Sequence, residues 1–167
     1  MKAKVGLIFW GVALMFVMAS CFKGETYPDE PIISDANVVV TNDSAVLTFS
    51  FTDGDGDIGL ADDELDAPYD SASYYHFNLY LEYFEKQDAG GWEPGLDAEG
   101  DTIVFKYRLE PIIVQGKKKG IKGTMDVVIN PFYNAASPES DTIKYSVKLI
   151  DRALNESVVI ETDPIIH

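Results

Sequence analysis

From Ala36 onward the chain repeats one pattern: short runs in which apolar and polar side chains alternate with a period of two, separated by turn-forming residues. That period sends successive side chains to opposite faces of a strand, so each run buries one face and shows the other to water. The run ANVVVT (36–41) leads through Asn42-Asp43-Ser44 into AVLTFSFT (45–52), where Leu47, Phe49 and Phe51 oppose Thr48, Ser50 and Thr52. A third run, YYHFNLYLEYFEK (74–86), sets Tyr75, Phe77, Leu79, Leu81 and Tyr83 against a mixed face of Tyr74, His76, Asn78, Tyr80, Glu82 and Phe84. TIVFKYRLE (102–110), GTMDVVIN (123–130), TIKYSVKLI (142–150) and SVVIET (157–162) continue the pattern. Between them lie an aperiodic loop from Gln87 to Asp101, a basic turn from Gln115 to Gly120, and loops at 134–140 and 151–155.

Seven one-sided strands without a helical period predict one all-β domain over 36–167, an immunoglobulin- or fibronectin-III-like antiparallel β-sandwich. An eight-stranded barrel is the competing closure. The lone cysteine excludes an internal disulfide, and with it an antibody-type domain. Tyr145, four residues after Asp141 at the start of the sixth run, fits a tyrosine-corner position.

The formal charge of −15 repels phosphate backbones and anionic lipid headgroups, which argues against nucleic-acid partners. Disordered acidic chains are poor in aromatics, whereas nine Tyr, nine Phe and two Trp here supply a core. Two histidines leave little imidazole chemistry.

The first twenty residues read as a signal peptide: Lys2 and Lys4 precede an apolar run, Val5 to Met18, too short to span a bilayer as a helix. Met18-Ala19-Ser20-Cys21 resembles the bacterial lipobox, with Met in place of the usual Leu. The resemblance implies that Cys21 is diacylglycerated and acylated, anchoring an envelope lipoprotein of the outer membrane; several acyl chains hold where one does not. An ordinary secretory signal with an incidental cysteine is the alternative. Residues 21–35, with Pro28, Pro31 and mixed charges, read as the lipidated N-terminus and an extended tether.

The second run ends in FTDGDGDIGL (51–60), followed by ADDELD; between Asp53 and Asp70 stand eight acids and no base. Hard cations take oxygen ligands, and glycine frees the backbone to present them. With Asp53 at position one of a twelve-residue calcium loop, Asp55, Asp57, Leu60 and Glu64 fall at three, five, eight and twelve. Position six is Ile58, not glycine, and a strand precedes the loop, so an EF-hand is not expected. The expected ligands are Asp53, Asp55 and Asp57, the Gly59 carbonyl, and Asp63 or Glu64, with Ca²⁺ as the ion. A solvated acidic hairpin turn is the simpler alternative.

The phrases FTDGDGDIG and IDRALNES resemble Ig-like surface lipoproteins of Bacteroidota-type bacteria, a group whose functions are mostly unknown. That lineage implies an O-glycosylation pattern of Asp, Ser or Thr, then an apolar residue. The pattern occurs at Ser44, Ser71, Thr102 and Thr142, although Asp-Ser and Asp-Thr also start turns. Trp92 in a Gly/Pro-rich loop, with Tyr74, Tyr80 and Phe84 on one strand face, would suit a glycan-binding component of a surface uptake system; packing in a second layer is the alternative. No G-x-S-x-G or H-E-x-x-H occurs, and no nucleophile–base pair can be named, so no enzyme is expected. The expected role is a structural or interaction module.

Overall fold

The computed structural model describes residues 26–42, 44–113 and 120–167; the signal segment, Cys21, the first tether residues and most of the basic turn lie outside them. Among the described residues, nine strands form two antiparallel sheets. The first sheet joins β1 (Ile32–Thr41), β2 (Ser44–Asp53) and β6 (Ile121–Ile129), with β2 central. In the second, β3 (Leu79–Lys86) and β7 (Thr142–Leu149) pair centrally. One flank of β3 takes β4 (Trp92–Pro94) and β5 (Val104–Tyr107); the far flank of β7 takes β8 (Ile160–Glu161) and β9 (Ile165–Ile166). Each outer pair fills one column, so seven columns stand three against four. The short strand β5 pairs with β3 and so leaves the sheet it would join in an antibody constant domain. The two sheets are separate, which settles for the sandwich over the barrel.

β2 follows the alternation throughout: Ala45, Leu47, Phe49 and Phe51 are buried, and the residues between them are half-exposed. They meet Leu79, Leu81 and Tyr83 of β3 and Ile143, Tyr145, Val147 and Leu149 of β7 in one core. Full burial of such side chains contributes about 1.5–3 kcal/mol each. The hydroxyl of buried Tyr145 donates to the Phe132 carbonyl in the loop after β6, completing the tyrosine corner.

Three departures from the sequence reading have local causes. β1 begins at Ile32 within the stretch read as tether, because buried Ile33 continues the inward row across a bulge at left-handed Asp35. The third run starts as a 3-10 turn, Tyr74–His76, capped by Ser73 Oγ; buried Asn78 then bonds both the N–H (2.6 Å) and the carbonyl (3.3 Å) of Leu109. At the last run, hydroxyls replace backbone acceptors: Leu149 N–H donates to Ser157 Oγ (3.0 Å) and Tyr145 N–H to Thr162 Oγ1 (3.1 Å). The regular ladder there shrinks to Ile160–Glu161.

Candidate metal centre

The inward row of β2 does not stop at Phe51; its next member is Asp53, a carboxylate in a core position with 0% exposure. Gly56 N–H donates to its Oδ1, while Oδ2 is buried and accepts nothing from the described residues. Beyond Asp53 the chain turns through Gly56, at φ +72°, a conformation glycine adopts without strain. The turn returns half-buried Asp55 and Asp57 to the same point, so that one oxygen from each of the three carboxylates lies within 4.8 Å of the others. Asp57 Oδ1 is also buried without a hydrogen-bond partner. Gly54 serves another purpose than curvature. A Cβ there would stand 2.3 Å from the Tyr27 carbonyl oxygen and 2.5 Å from that of Pro28, because the entering chain lies directly on the loop.

The rest of the loop belongs to the chain's two arginines. Arg108 on the strand-end after β5 donates to the carbonyls of Ala61 (2.9 Å), Glu64 (2.7 Å) and His76 (2.6 Å). Arg152 donates to the Gly59 carbonyl (3.3 Å) and pairs with Glu64 Oε2 (3.1 Å), which also accepts from Ala61 N–H (2.7 Å). The structure therefore brings together the carboxylates of Asp53, Asp55 and Asp57, a group that includes neither Asp63 nor Glu64. Gly59 and Glu64 are engaged with Arg152, and Asp63 is exposed on a turn. Ile58 and Leu60 are buried, so the calcium-loop spacing beyond Asp57 coincides with core packing.

One acidic residue of the site escaped the sequence reading. Asp151 is 2% exposed, its carboxylate held by the Asn155 N–H (2.8 Å) and side-chain amide (2.7 Å). The next residue, Arg152, donates its N–H to the Asp57 carbonyl (3.3 Å), docking the 151–155 turn on the acidic loop. The phrase DRALN was the available signal, but nothing local says which loop it meets. Burial, chiefly, and the neighbouring Asp55 charge push the Asp53 carboxyl up to about 6, against the Gly56 bond. Asp57 is likewise pushed up to about 6 by burial first, then by Asp151, Asp55 and Asp53. Asp151 is raised too, by burial and Asp55, with the Asn155 bonds opposing. At an effective dielectric of about 20, two unit charges this close repel by roughly 3–4 kcal/mol. Converging oxygens, a fully buried unpaired oxygen and mutual repulsion are what a hard divalent cation relieves.

The proposed glycan residues fall on the outer face of the second sheet in two separate clusters. Tyr80 is 7% exposed and stacks on Tyr74 at 4.8 Å, leaving Tyr74, at 46%, as the open ring. Lys148 lies over Tyr74 at 5.3 Å. Half-buried Trp92 and Phe84 share Lys144, at 4.9 and 5.6 Å, which also pairs with Glu161 (2.7 Å). Of the four acceptor-pattern residues, Ser71 and Thr102 are exposed and Ser44 and Thr142 half-buried. His76 is structural in setting, with Nδ1 3.0 Å from the Tyr69 carbonyl.

Fold and site define the class: an all-β sandwich with an acidic, metal-competent loop at the end of its second strand. No protein-family model matches the chain, and no curated protein matches it either.

Proposed function

We propose that this chain is a lipid-anchored envelope lipoprotein whose β-sandwich binds Ca²⁺ through Asp53, Asp55 and Asp57 and serves as a non-catalytic structural or interaction module. The carrying observation is the Asp53 carboxylate, a full charge-bearing group in a core position with one oxygen unpaired and two further carboxylates converging on it. A cation there joins the loop, and with it the entering chain and the 151–155 turn, into one rigid end of the sandwich. An extracellular-type site has a Kd of about 0.1–1 mM. Mg²⁺ binds less well, since it requires a tighter octahedron and keeps its waters.

Calorimetric titration tests the site: Ca²⁺ gives a saturable heat that the Asp55→Asn, Asp57→Asn double variant abolishes, and flat heats through millimolar Ca²⁺ reduce the loop to an acidic turn. The anchor rests on the N-terminal sequence alone. Cys21→Ala is expected to abolish lipid labelling and release the protein from the membrane fraction; a variant that stays membrane-bound and uncleaved makes the segment a signal anchor. The glycan-binding alternative has weaker support, because lysines already cover the Trp92, Phe84 and Tyr74 rings.

A further inference from the structure

A second acidic feature lies apart from the Asp53 loop. Between β3, β4, the turn after β4 and the 134–137 loop opens a cleft of about 470 Å³. Glu85, only 5% exposed, contributes its carboxylate to the cleft wall. Ser137 Oγ donates to Oε2 (2.7 Å), and Oε1 is buried with no hydrogen-bond partner. The Tyr83 hydroxyl, which accepts the Asn134 N–H (3.2 Å), also lies against the Glu85 carboxylate, so the groups that meet Glu85 here are neutral hydroxyls. None of the ion pairs among the described residues involves Glu85. A buried carboxylate without a counter-charge is costly, and a cationic ligand in the adjoining cleft relieves that cost.

The lining narrows that ligand. Exposed Glu93 and Asp97 add two carboxylates, Gln87 an amide, and half-exposed Leu96 an apolar wall. These carboxylates do not converge as the Asp53 group does, which disfavours a metal ion. Among the described residues no aromatic ring lines the cleft, which disfavours a stacked sugar. Separated acceptors beside an apolar wall suit three diverging N–H donors on an aliphatic stem. We propose that this cleft binds an alkylammonium group, either the side-chain amine of a partner's lysine or a free diamine.

The test uses the full chain in detergent, with Ca²⁺ present so that the acidic loop is occupied. Titration calorimetry and ligand-observed NMR compare N-acetyl-lysine methylamide, its uncharged norleucine analogue and pentane-1,5-diamine. The amines are expected to bind and the norleucine analogue not to. Glu85→Gln, which keeps an acceptor for Ser137, should weaken amine binding at least about tenfold, as loss of a charge-assisted contact does. Glu93→Gln at the rim should weaken it less, and Asp163→Asn, exposed and outside the cleft, not at all. Glu85→Gln should also leave the melting temperature unchanged or higher, whereas a purely structural Glu85 would lower it. Binding of the lysine derivative alone marks a partner side chain and binding of the diamine alone a free amine; either supports the proposal. Equal binding of lysine and norleucine analogues overturns it, as does equal weakening by Asp163→Asn, which would mark general attraction to an acidic surface.

Discussion

Asp53–Asp57 and Ile58–Glu64 are consecutive pieces of one acidic loop, yet among the described residues the guanidinium groups of Arg108 and Arg152 hydrogen-bond to the second. In the second piece, guanidinium groups take up carbonyls and the Glu64 carboxylate, and buried Ile58 and Leu60 pin the backbone. In the first piece, three carboxylates face one another over a buried, unpaired oxygen. Similar composition thus gives a loop half that is complete within the chain and a half that calls for an ion. Charge density along a sequence does not separate the two. Partners 44 and 93 residues distant do.

The largest expected effect breaks the complete half. Arg108→Ala removes three hydrogen bonds to the carbonyls of Ala61, Glu64 and His76, and should cost about 2–4 kcal/mol in urea unfolding. A cost below about 0.5 kcal/mol would show that the arginine decorates a loop already held by Ile58 and Leu60.

The two halves differ as well in how far they were legible. Alternation in β2 gave both the strand and its inward face, and running that alternation one step further places Asp53 in the core. The spacing of Asp53, Asp55 and Asp57 is local, so their convergence followed from the sequence. Glu64 fitted the same numerical pattern and Gly59 offered a carbonyl, but the partner of both is Arg152, which no local pattern connects to them. Asp151 was hidden for the same reason. Gly54 looked like a turn glycine, and its cause is the Tyr27–Pro28 backbone against it. Strand ends were misjudged where side chains stand in for backbone, as at Asn78, Ser157 and Thr162.

A second, intermediate effect concerns the incomplete half and pH. Asp53 and Asp57 have folded-state values raised to about 6, above the unfolded carboxylate range. A raised carboxyl binds its proton more tightly when folded, so its stabilising contribution is complete below about pH 4 and is lost as pH rises through about 6. In chelator, the Asp53 and Asp57 contribution to stability should therefore decline between about pH 4 and 7. Protons and Ca²⁺ compete for the same oxygens, so the Ca²⁺ affinity should fall as pH drops below about 6. Urea unfolding at several pH values, with chelator or Ca²⁺, in the wild type and in Asp53→Asn, isolates this contribution. A Ca²⁺ affinity independent of pH between about 5 and 7 would remove these carboxylates from the site.

The smallest effect tests the central claim most directly: the melting temperature of the wild type and of the Asp55→Asn, Asp57→Asn variant, each in chelator and in about 1 mM Ca²⁺. Linkage at a Kd of about 0.1–1 mM stabilises the wild type by roughly 0.4–1.4 kcal/mol, a rise of about 2–6 °C. The variant should melt at one temperature in both conditions, and in chelator no lower than the wild type, because it has shed repulsion. A wild type that melts identically with chelator and with Ca²⁺ would contradict the account, and so would a variant that keeps the full Ca²⁺ shift.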